Sequence, residues 1–404
     1  MQRKPLIITI SIGLILILAA LGWFLFSRTK KAPTLTPVNG GSPFGQGGAD
    51  ITRTSPEDKT SGTGIDSSGH PVAKLFRITD VPVSGFVSFI KNGYTNVRYT
   101  ERATGHIYDS NPVTLEKKKV TNNTLPKIYE AYFKNDGSGV IYRTLKDGSD
   151  EIQNSSLTLI PPSASSTSEL NTVLTTNLLG NISDITVLGD NTLLYVAKDT
   201  GAVIHSMFSG DKKTDLFSSI FTNWLVSPFG SNALLTSKAS AYVSGYSYSL
   251  NTKVGGLTKI LGPLDGLSVS PSKDGKFVAY SYNLNSGVLL RTINTSTKSV
   301  SEIEPSTLGE KCVWSVRSSA TLYCGVPNGG LTTSEPDSWY QGLTHFSDRV
   351  WRFNTDTGFT DVLADPKNDF KINLDVMNPT LSTDEDYLFF INKTDLNLWA
   401  LKLN

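Results

Sequence analysis

Short runs of alternating apolar and polar residues fill most of the chain, separated by clusters of Gly, Asp, Asn and Ser. Alternation with a period of two puts successive side chains on opposite faces of a strand. The pattern therefore predicts strands joined by turns. From Leu75 onward no stretch keeps a helical period over three turns. The most regular unit is a hairpin: an apolar strand, a polar tip, a second apolar strand. Tips fall near Gly93, Gly137, Asp190, Ser231, Gly275, Ser319 and Glu385, about 44, 53, 41, 44, 44 and 66 residues apart. Two more strand candidates follow each hairpin, as in "VLLRTINTS" and "KSVSEIE" of the fifth repeat. The unit is a four-stranded meander of 40–50 residues. One such sheet has two apolar faces and is not stable alone. Seven of them, arranged radially, bury those faces against one another.

The seventh repeat is one strand short. "LDVMNPTLS", "YLFFINK" and "NLWALKLN" supply three, and the chain ends at Asn404. "AKLFRITD", residues 73–80, stands before the first repeat with no other place. It is predicted to pair with residues 398–403 and close the ring, because an open edge would leave a row of unpaired backbone groups.

The N-terminal pattern differs. Residues 5–26, "PLIITISIGLILILAALGWFLF", carry no charge. A helix of that length crosses a hydrocarbon core of roughly 30 Å. The run is longer than the apolar region of a cleaved signal peptide, so residues 1–31 read as an uncleaved membrane anchor. Residues 32–72 are rich in Gly, Ser, Thr and Pro without apolar periodicity, and read as a flexible linker. Basic residues flank the apolar run on both sides, so positive charge does not set its orientation. The uncharged spacer, the Ser/Thr-rich domain and the scarcity of cysteine favour an extracytoplasmic C-terminal domain.

The reading is an all-β, seven-bladed β-propeller over residues 73–404, closed by an N-terminal strand and preceded by a single transmembrane helix and linker. The fifth repeat, "SVSPSKDGKFVAYSYN", is similar to the W-S-P-D-G-K-x-aliphatic-x-aromatic repeat of TolB-like, WD40-like (PD40-type) propellers. "VWSVRSSATLYCG" and "PTLSTDEDYLFFIN" match it more loosely. With Ser272 and Lys273 the turn is one residue longer than the family's. The resemblance implies a propeller and no particular function. The whole chain also resembles bacterial proteins with one anchor helix and a propeller, and that implies no function either.

Candidate chemistry is sparse. Thirty-seven Lys and Arg against 36 Asp and Glu leave no electrostatic case for nucleic acid. His70, His106, His205 and His345 form no metal-binding spacing. Neither a G-x-S-x-G elbow nor a phosphate loop is present, and no cofactor is implied. "SKDGKF" lacks a residue of a sialidase Asp box and reads as a turn. "NTDTG", residues 354–358, falls short of a calcium loop in ligand number. Asn-x-Ser/Thr triplets at Asn122, Asn154, Asn181, Asn294 and Asn392 are expected by chance in such a composition.

Cys312 and Cys324 flank the sixth tip at nearly equal distance. Antiparallel pairing would bring them within reach of a disulfide; the alternative is two unrelated buried thiols. The long insertion of the sixth repeat, residues 325–348, carries Trp339, Tyr340, His345 and Phe346. Either these aromatics form a ligand-binding rim, or they fold back as the core of the loop. The function these features favour is a binding or scaffold module at the cell envelope, for a protein or polysaccharide ligand. The second reading is a glycan-acting enzyme with carboxylates in the propeller channel.

Overall fold

A computed structural model describes residues 74–285 and 287–403. The anchor expected over residues 5–26 and the linker over 32–72 lie outside the described residues. Seven four-stranded antiparallel sheets follow one another. Blade 1 spans residues 83–119, blade 2 130–177, blade 3 182–217, blade 4 224–265, blade 5 268–303 and blade 6 312–364. Blade 7 takes its first three strands from residues 376–402. Its fourth and outermost strand is Leu75–Arg77, which pairs Leu75 with Leu401, Phe76 with Ala400 and Arg77 with Trp399.

First strands of successive blades touch one another in series from blade 1 to blade 7, and so form the inner wall of the ring. The seven tips expected from the sequence are the turns between first and second strands. Antiparallel order then puts those tips on one face of the ring, the tip face. Connections between second and third strands, and between blades, lie on the opposite, far face. Lys402 N donates to Lys74 O, and Leu403 N donates to Asp386 O in the seventh tip. The described chain therefore both enters and leaves at the tip face.

Seven apolar clusters fill the seven seams between blades. Phe76, Tyr387 and Phe389 of blade 7 meet Val83, Val97 and Tyr99 of blade 1. Ile141 of blade 2 meets Ile185 and Tyr195 of blade 3, and Leu290 of blade 5 meets Trp314 and Phe353 of blade 6. The seams are tight at the inner wall: a Cβ on Gly85 would overlap the carbonyl of Ala131 in the next blade.

Phe76 is almost fully buried although it sits only two residues into the closing strand. Phe76→Ala should lower stability by about 3–5 kcal/mol, as a large cavity at a seam does. The denaturant midpoint of the full chain reads this out. A loss below about 1 kcal/mol, ordinary for a surface change, would mean that closure holds little.

Candidate functional site

The insertion of blade 6, residues 328–347, joins its second and third strands on the far face. It does not stand up as a rim. Asp337 Oδ2 accepts from Ala241 N in the blade 4 loop at 2.5 Å. Asn283 of blade 5 donates to the carbonyls of Thr333 and Glu335 at 3.0 and 3.1 Å. The Tyr340 hydroxyl donates to Glu310 at 2.5 Å, ahead of the first strand of blade 6. Trp339 Nε1 donates to both oxygens of Asp375, ahead of blade 7. The insertion is thus bonded to four consecutive blades.

Trp339 and Phe346 are 3% and 9% exposed and form an eighth apolar cluster with Val288 and Leu308. Tyr340 is half-buried, and His345 alone of the four expected rim residues is exposed. The ligand-contact reading of Trp339 and Phe346 gives way to packing, because a loop of this length hides its large aromatics under itself. Tyr340 is spent on Glu310 in the same way.

Beneath the two rings lies a charged cluster the sequence did not suggest. Lys311 Nζ reaches Asp375 Oδ1 at 2.5 Å and Asp348 Oδ2 at 2.8 Å, all three side chains being fully buried. Its third donor goes to Val376 O at 2.9 Å. Trp339 and Phe346 ring centres stand 4.9 and 5.0 Å from the ammonium, so the cation sits against two π faces. Asp375 also accepts from Phe346 N, and Asp348 Oδ2 from Val376 N. Within the cluster, Asp348 Oδ1 is the one polar side-chain atom buried without a partner. A buried ion whose hydrogen-bonding capacity is filled offsets its desolvation, and removing one member strands the others. The cluster acts as a bolt between the insertion and the seam of blades 6 and 7.

Other candidates resolve into local structure. Cys312 and Cys324 are directly opposed, with Cα atoms 4.1 Å apart, and are joined by a disulfide. Asp274 accepts from Ser272 and from Lys276 N within the fifth tip. In residues 354–358 Asn354 Oδ1 accepts from Asp356 N and Thr357 N, closing a turn.

No family model and no curated protein matches the chain. Solved structures match its fold. Hydrazine synthase of Kuenenia stuttgartiensis is similar at 12% identity and a TM-score of 0.52, over 80% of this chain and 96% of that one. YCF48 of Cyanidioschyzon merolae is similar at 10% identity and 0.52, over 81% and 98%. Virginiamycin B lyase of Staphylococcus aureus is similar at 12% identity and 0.49, over 82% and 98%. The likeness to hydrazine synthase and YCF48, at these identities, shows the propeller fold alone.

Burial and the charge of Asp375 push the Asp348 carboxyl up to about 6 from 3.8, against the pull of Lys311. A carboxyl with a raised pKa in the fold holds its proton more tightly there than in the unfolded chain. Its contribution is therefore complete below about pH 3.8 and is lost as the pH rises to about 6. Denaturation across this range should show the wild type losing about 2 kcal/mol relative to Asp348→Asn between pH 4 and pH 7. A difference that stays constant with pH would contradict the cluster.

Proposed function

We propose that the chain is a membrane-anchored, TolB-like propeller whose ring stands outside the cytoplasm as a binding or scaffold module at the cell envelope. The observation that carries this reading is the outer surface of the bolted insertion. Leu343 and, in the blade 4 loop joined to it through Ala241, Tyr242 are 76% and 77% exposed. Val243 and His345 are exposed beside them in sequence. Large apolar side chains presented on a rigid backbone cost little ordering on association, which is what a protein contact surface needs. Lys74 sits at the tip face, so this surface points away from the point where the chain joins the ring.

The enzyme reading needs two carboxyls roughly 5–10 Å apart with room for a sugar between them. Asp348 and Asp375 do converge, but on one ammonium, under Trp339, with no exposure. That geometry gives a substrate no access to this pair.

Two measurements on intact cells test the proposal. External protease should remove a C-terminal tag without lysis; a tag protected until lysis contradicts the compartment. A photoreactive residue at position 343 or 242 should give one discrete adduct, while one at Val254, exposed on the tip face, gives none. Equal labelling at all three positions, or none at 343 and 242, contradicts the far face as the contact surface.

A further inference from the structure

Blade 1 carries a polar pocket at the tip face, away from the insertion. Its volume is about 200 Å³, and Lys91, Tyr94, Asn96, Asp109, Asn111 and Glu116 are among its lining residues. The wall is set by the first tip. Asn92 and Gly93 have φ of 52° and 81°, the two positive values of a type I′ turn, which Asn-Gly adopts at least cost. That two-residue turn opposes Lys91 to Tyr94 and holds the tyrosine ring out, 66% exposed.

The floor is rigid: two cations, Arg98 and Lys91, share the one carboxylate of Asp109. Arg98 grips Asp109 with two bonds of 2.6 and 2.9 Å, and Lys91 Nζ joins Asp109 at 3.0 Å. Arg98 also donates to Gly137 O of blade 2 at 2.7 Å. At the rim Lys118 is paired with Glu169 at 3.0 Å. With Glu116 also in the lining, Lys91, Arg98 and Lys118 face Asp109, Glu116 and Glu169, three charges of each sign, which leaves no strong preference for an anion.

Neutral hydrogen-bonding groups remain. Asn96 lines the pocket, and its Nδ2 is buried without a partner, a costly state for an amide. Asn111 uses its amide oxygen on Val113 N, so its NH2 is the end left for a ligand. The Glu116 carboxylate adds an acceptor at the mouth. An exposed aromatic plane beside amide donors and an acceptor matches the two sides of a pyranose: a C–H face that packs on a ring, and hydroxyls that give and take hydrogen bonds.

We propose that this pocket binds one neutral hexopyranose unit of an unbranched polysaccharide, with Tyr94 as platform and Asn96 and Asn111 as hydroxyl partners. The proposal rests on the binding-module reading and adds to it a second site, on the face where the chain enters the ring. A module with a protein surface on one face and a sugar pocket on the other would connect a partner to a glycan.

The test is calorimetric titration of the full chain, held in phosphatidylcholine nanodiscs so that no glycoside detergent competes. The probes are chitohexaose and maltohexaose. The wild type should bind one of them. Tyr94→Ala should weaken that binding about tenfold, the upper end of what an aromatic platform contributes. Tyr94→Phe should retain most of it, and Asn96→Ala should lose a similar factor to Tyr94→Ala. Because Tyr94 is exposed, an unchanged denaturation midpoint verifies that its variants fold. No binding of either probe overturns the proposal, as does binding that Tyr94→Ala and Asn96→Ala leave intact. Labelling at positions 242 and 343 is a separate readout, so the far-face reading and the sugar pocket stand or fall independently.

Discussion

Each blade has two greasy faces, and the whole architecture follows from hiding both. An isolated four-stranded sheet covers neither. A stack covers every face except the outermost two, and a ring covers all of them. Seven seams hold seven apolar clusters, and the last is made between residues from the two ends of the described chain, Phe76 and Val83 against Tyr387 and Phe389. The closing strand supplies backbone partners for Leu398–Lys402 and places Phe76 in that last seam. Closure and burial are therefore the same event at this point of the ring.

A ring of this kind is stiff at its inner wall and free at its loops, so function is built on the loops. The insertion of blade 6 is stiffened in turn. Its aromatics go under it, Asp337, the carbonyls of Thr333 and Glu335, and the Tyr340 hydroxyl bond to blades 4, 5 and 6 in turn, and Trp339 reaches the buried Lys311–Asp348–Asp375 cluster beside blade 7. A charge cluster in a dry seam is a poor source of net stability but tolerates only one geometry. The outer side of the insertion inherits that definition, with exposed Leu343 on it and exposed Tyr242 and Val243 on the blade 4 loop bonded to it.

Turns were legible in the sequence because turn chemistry is local. Ser272 and Asp274 of the fifth tip and Ser382 and Asp384 of the seventh make the same bonds: serine Oγ to aspartate, and the backbone N–H of Phe277 or Tyr387 to serine. Asn92-Gly93 announced its hairpin for the same reason. A second recurrent turn went unread as a repeat. Asn111, Asn251, Asn294 and Asn354 each end or directly follow a third strand and accept, through the backbone carbonyl, from the residue four positions on. The charged cluster was not legible, since Lys311 and Asp375 are 64 residues apart and nothing local marks either one. The insertion aromatics were seen but their direction was not, because inward and outward packing use the same residue types. Cys312 and Cys324 could be located across a hairpin, while the register that opposes them comes from the sheet.

The two faces then differ in what they present: the far face carries exposed apolar side chains on a bonded insertion, and the tip face receives the chain and holds the blade 1 pocket. All of this depends on the ring and its insertion behaving as one cooperative body. Hydrogen exchange of the full chain measures that most directly. The Phe346 amide, bonded to buried Asp375, and the Trp339 amide, bonded to Glu335, should be protected to the same extent as the second strands of blades 6 and 7 and open with them. Exchange of Trp339 and Phe346 at the rate of an open loop, while those strands stay protected, would contradict it.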